Sequence, residues 1–139
     1  MSNCFGTGEV LDRAGCVALL ATGGIGRVVF TQRALPAVRP VRFVLRDDAV
    51  WFRVPHSDVW FANALDTVVA VAADDLTADL TAGWFVTVLG TATEVRDHET
   101  IEALATLLPP ARGADDRYVR VPVESVSGRQ LAPCEDVAR

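Results

Sequence analysis

Hydrophobic positions in this chain come in short runs whose spacing changes along its length. From Arg13 to Ala21 the apolar residues Cys16, Val17, Leu19 and Leu20 recur at helical spacing behind Asp12, an N-cap residue, and Thr22-Gly23-Gly24 stops the helix. Ile25–Thr31 is rich in β-branched residues and reads as a strand. After a turn at Gln32–Pro36, Ala37–Leu45 alternates, with Val38, Pro40, Arg42 and Val44 on one face and Arg39, Val41, Phe43 and Leu45 on the other. Pro40 cannot donate to a ladder, so it marks an edge or a bulge.

Arg46-Asp47-Asp48 turns the chain into a third strand, Ala49–Val54, and Pro55-His56-Ser57 breaks the sheet. Ser57 or Asp58 caps a short helix through Leu65. Thr67–Ala73 is continuously apolar, as in a strand buried on both faces, and Asp74–Gly83 reads as an acidic loop. Trp84–Arg96 is a long strand bent at Gly90, and a helix from Asp97 or Thr100 ends at Pro109-Pro110. Beyond a loop at Ala111–Asp116, the last strand, Tyr118–Val126, alternates Val119, Val121 and Val123 against Tyr118, Arg120 and Pro122, and Ser127–Leu131 completes the domain. The pattern predicts a mainly β fold with few helices, six short strands forming a closed or partly open barrel.

With 139 residues the chain makes one domain, expected over 10–131, with a flexible N-terminus at 1–9 and a tail at 132–139. The formal charge of −5, without a basic stripe, argues against nucleic acid. No apolar run reaches the ~20 residues of a membrane span. Met1–Val10 has no basic residue ahead of an apolar stretch, so a cytoplasmic protein is expected.

Cys4, Cys16 and Cys134 form no C-x-x-C pair, and Cys16 falls on the core face of the first helix. His56 and His98 share no metal spacing, and Asp74, Asp75 and Asp79 read as a solvated loop, so no metal is expected. All thirteen basic residues are Arg. Schiff-base chemistry on an internal lysine is therefore excluded, and a phosphate must be held by Arg, hydroxyls, His or backbone N–H groups.

Five segments in order carry a resemblance. They are LDRAGCVALLATGGIGR (Leu11–Arg27), LPAVRPVRF (Leu35–Phe43), VWFR (Val50–Arg53), GWFVTVLGTA (Gly83–Ala92) and the closing strand Val119–Leu131 with Ser127-Gly128-Arg129. Together they resemble the pyridoxamine 5'-phosphate oxidase-like family. That resemblance implies a six-stranded split β-barrel, FMN-binding-like and homodimeric, with FMN or a deazaflavin at the dimer interface. It implies that Pro40, Val41, Arg42 and Phe43 line the ring, that Arg53 with His56 and Ser57 faces the phosphate, and that Trp84 lies close by, with Val54 also among the candidate cofactor-binding residues. Arg39, near Arg42 in an otherwise apolar strand, joins the candidate cofactor-binding residues. No catalytic acid or base is singled out.

The chain departs from the family pattern after Arg53. Val59 or Trp60 stands where the family carries a cation, Asp58 adds a negative charge, and Leu89 and Thr91 occupy positions where arginines are common. Two readings follow. The first is an oxidoreductase using FMN or a deazaflavin on a small organic substrate. The second is a cofactor-free homologue in which Val54, Val59, Trp60 and Leu89 make the former flavin cleft an apolar pocket for a hydrophobic metabolite.

Overall fold

The computed structural model describes residues 8–110 and 115–132. The end segments 1–7 and 133–139, with Cys4 and Cys134, and positions 111–114 of the expected loop lie outside the described residues. Along the chain the elements are β1 (Glu9–Val10), α1 (Arg13–Leu20), β2 (Gly24–Gln32), β3 (Leu35–Arg46), β4 (Ala49–Pro55), α2 (Val59–Ala64), β5 (Val68–Leu76), β6 (Gly83–Thr91), β7 (Thr93–Glu94), α3 (His98–Leu107), β8 (Asp116–Pro122) and β9 (Ser125–Leu131). Asp12, Asp58 and Asp97 cap the three helices, each accepting a backbone N–H of the first turn.

The strands form one antiparallel sheet in the order β1-β9-β6-β5-β2-β3-β4-β8-β7. β8 and β9 lie near opposite ends of that order yet are joined by two residues, so the sheet curls back on itself. The described residues hold nine strands, not the six expected from the pattern. One added strand is the short β1, which pairs Glu9 with Gln130 inside the segment expected to be flexible. The others arise because two long strands break as they round the corner of the sheet. The first breaks at Ala92, two residues past Gly90, and the last at Val123-Glu124, where Pro122 has just removed a donor. β5 also runs further than expected, through Asp74 and Asp75, because Phe85 and Trp84 of β6 stand opposite them in register.

Inward-facing residues of every long strand, with Cys16 and Leu20 of α1 and Trp60 and Ala64 of α2, fill the main core. A second cluster, Ala49, Trp51, Leu104, Leu108 and Tyr118, packs α3 on the outer face of β4 and β8. No helix among the described residues is long and apolar enough to cross a membrane.

Two tight hairpins set the register around β3. In each, both central residues have positive φ: Arg33 (53°) and Ala34 (64°) in one, Asp47 (52°) and Asp48 (57°) in the other. Asp tolerates that conformation, whereas a Cβ on Ala costs roughly 1–2 kcal/mol there. Ala34→Gly should therefore stabilise the protein by about 0.5–1 kcal/mol after the added freedom of the unfolded chain is discounted. Thermal melting reads the gain, and a lowered midpoint would contradict the turn geometry.

Candidate functional site

β3 and β4 separate partway along their length. Their pairing runs from Arg46↔Ala49 to Phe43↔Phe52 and ends there. β3 then follows β2 as far as Leu35, while β4 follows β8 to Pro55↔Asp116. Between the splayed strands lies a cleft of about 210 Å³ lined by Arg39, Pro40, Arg42, Arg53, Pro55 and Asp116. Pro40 sits on the stretch of β3 that has lost β4, so its missing donor is accommodated on an open edge, one of the two settings the sequence pattern allowed.

Strand alternation decides which side chains reach the cleft. On β4, Phe52 and Val54 point into the main core, and Arg53 lies on the outer face with Trp51. Arg53 meets Asp116 diagonally across the β4–β8 ladder, its Nε donating to Asp116 Oδ2 at 3.2 Å. The Asp116 side chain is only 3% exposed and that of Arg53 24%. The Nη1 of Arg53 is buried with no hydrogen-bond partner among the described residues.

Opposite, Arg39 pairs at 2.5 Å with Asp58, the N-cap of α2, whose side chain is 9% exposed. The carboxylate that seemed set to oppose a phosphate is thus engaged by an arginine. Arg42 is exposed and has no carboxylate partner among the described residues. Three arginines, Arg39, Arg42 and Arg53, and one carboxylate, Asp116, thus line the cleft, with Asp58 behind Arg39. Below it, Tyr118 donates to Leu108 O at 2.7 Å and ties β8 to the end of α3. Burial pushes the Tyr118 phenol up from its ordinary range, Arg53 works against that, and Asp116 adds to it.

Of the candidates named from the sequence, Arg39, Pro40, Arg42 and Arg53 come together here. Val41, Phe43 and Val54 do not line the cleft with their side chains: they alternate inward and are core residues at 6%, 1% and 1% exposure. His56 and Ser57 are exposed on the turn after Pro55, outside the lining, and the His56 N–H donates to Asp115 O. Trp84 packs against the main core from β6, with β5 and β2 between it and β3 in the sheet.

The residues invoked for an apolar pocket do not gather either. Val54 and Trp60 are core, while Val59 and Leu89 are exposed on different elements. Sequence reasoning missed Pro55 and Asp116. Asp116 stood in an expected loop, and only the long-range register of β8 on β4 brings it beside Arg53.

The donor set suits an oxyanion. Arginines from two walls line the cleft, and the buried Arg53 Nη1 has no acceptor among the described residues. It does not suit a metal, and no group of three or more His, Cys, Asp or Glu able to hold one occurs among the described residues. The volume is below the roughly 300–1,000 Å³ of complete small-molecule sites.

A curled antiparallel sheet that opens between two splayed strands onto such a cleft defines the class, a half-barrel of split-barrel type with an arginine-lined mouth. The chain belongs to the pyridoxamine 5'-phosphate oxidase family, whose sequence model matches residues 12–130. An uncharacterized protein of Mycobacterium tuberculosis is 41% identical over 127 residues, covering 87% of this chain and 84% of its own. Among solved structures, an FAD binding protein from Mycobacterium smegmatis superposes with a TM-score of 0.78 at 32% identity, covering 89% of this chain and 98% of its own. A conserved protein of unknown function from Corynebacterium diphtheriae gives a TM-score of 0.74 at 28% identity, with coverage of 89% and 98%.

Proposed function

We propose that the chain is a flavin-dependent oxidoreductase and that the β3–β4 cleft holds the phosphate end of the flavin. The observation that carries this reading is Arg53 in the cleft lining, with its Nη1 buried and without a hydrogen-bond partner among the described residues. Family membership supports a flavin-related role, and the FAD binding protein from Mycobacterium smegmatis makes FAD the first cofactor to test, with FMN and a deazaflavin as the other outcomes. When bound, the flavin supplies the hydride or electron transfer. This chain's residues bind and orient it: Arg53 and Arg42 take phosphate oxygens, Arg39 closes the β3 wall, and Pro40 and Pro55 give stiff, N–H-free edges. The substrate class is a small organic molecule.

The reading includes a homodimer. On the outer face, Val38, Val29, Ala70 and Leu89 stand opposite one another in a row crossing β3, β2, β5 and β6. Val38 is 59% and Leu89 42% exposed, and Pro40 and Arg42 continue the same face of β3 into the cleft. A second copy covering this row would bury an apolar patch and enlarge a cleft too small for a whole flavin.

Titration with FAD, FMN, riboflavin and a phosphorylated deazaflavin, followed by the visible spectrum, tests the reading. Uptake of a phosphorylated flavin with a spectral shift is expected, and Arg53→Gln should weaken it about ten- to a hundredfold, the worth of one charge-assisted hydrogen bond. A flat titration at high micromolar flavin would remove flavin from the account.

A further inference from the structure

We propose that Asp116 is a positioning residue for this cleft: it aims the Arg53 guanidinium, so the Arg53–Asp116 pair, and not Arg53 alone, sets the preference for phosphorylated over unphosphorylated flavin. The inference rests on the reading just given. Asp116 takes the Nε of Arg53 at 3.2 Å and is almost wholly buried. Nε is the donor nearest the stem, so engaging it fixes the plane of the fork and leaves the terminal nitrogens directed elsewhere. One of these, Nη1, is the buried donor without a partner among the described residues. An arginine that starts in its bound orientation loses less rotamer freedom on binding than a loose one. On the opposite wall the contact differs, because Asp58 takes a terminal nitrogen of Arg39, Nη1, and not its Nε.

Charge alone gives the opposite expectation. Asp116 is an anion in the lining of an anion cleft, and removing it would raise affinity for a phosphate if Coulomb repulsion were its main effect. Positioning and simple electrostatics thus differ in sign, which makes the proposal decidable.

The experiment uses the full chain and titrates FAD, FMN and riboflavin into wild type, Asp116→Asn, Arg53→Gln and the double variant, with thermal melting of each. Asp116→Asn should weaken FAD and FMN about tenfold and leave riboflavin within about twofold. In the Arg53→Gln background the same change should cost nothing further, because Asp116 acts through Arg53. If Asp116→Asn does not fold, Asp116→Glu serves, since it keeps the charge and moves the carboxylate by one methylene. Positioning predicts a loss there too, and a charge-only role predicts none.

The proposal is overturned if Asp116→Asn binds phosphorylated flavin as tightly as wild type or more tightly. Losses that add in the double variant, or that fall equally on riboflavin, overturn it as well. Failure of wild type to take up any of the three flavins would instead strike down the flavin reading and this one with it.

Discussion

Replacing Trp60 with Ala should cost about 3–5 kcal/mol of stability, a large share of the roughly 5–15 kcal/mol that holds a domain of this size folded. Trp60 is completely buried and meets Phe52 edge-on at 5.6 Å and Phe30 at 6.3 Å. It is also the anchor of α2, a helix of six residues, too short to persist without tertiary contacts. Truncation opens a cavity between the helix and the barrel wall and loosens the Asp58 cap that holds Arg39 at the cleft. Denaturant unfolding should show a lower midpoint at an unchanged slope. Val59→Ala, one residue earlier and 47% exposed, should stay within about 0.5 kcal/mol. A Trp60→Ala loss below about 1 kcal/mol would mean that the indole is not packed as described.

Gly90→Ala should cost about 3 kcal/mol, the upper end for overpacking, because the neighbour it meets is backbone. A Cβ at Gly90 would stand 2.0 Å from the carbonyl oxygen of Pro122 and 3.0 Å from a methyl of Val121. This is where β6 passes β8 and the curl of the sheet comes together, so the added atom forces the two strands apart. Gly26→Ala is a useful comparison. Its nearest contacts are Ala72 O at 3.1 Å and the Phe43 ring at 3.2 Å, and a smaller loss is expected. Equal, small effects at both positions in denaturant unfolding would contradict the close passage of β6 and β8.

Much of the local structure was legible in the sequence because its causes are local. Asp12 as N-cap, the short helix behind Asp58, the Asp47-Asp48 hairpin and the open edge marked by Pro40 each follow from the conformational limits of a few neighbouring residues. The breaks at Ala92 and Val123-Glu124 were not legible, since a strand bends where its partners change, and partners are chosen far along the chain.

The site divides along the same line. Composition leaves arginine as the only long basic side chain, the Arg-Pro-Val-Arg ribbon points to Arg39 and Arg42, and the resemblance adds Arg53; the three line one cleft. Which members of that ribbon turn inward was implicit in its alternation, yet Val41 and Phe43 were still counted with the ligand residues, because the resemblance named the whole segment.

Sequence alone determined the mainly β class, the Asp12 cap, the hairpins and the family, for these depend on residue type and short spacing, and it narrowed the other two caps to Ser57 or Asp58 and Asp97 or Thr100. Tertiary structure alone decided that β3 and β4 part after Phe43↔Phe52, that Asp58 serves Arg39, and that Asp116 serves Arg53. The Arg53–Asp116 pair joins residues 63 positions apart, and no local preference encodes it. It arises only when the closing strand docks on β4 in a register fixed by burying Val119 and Val121.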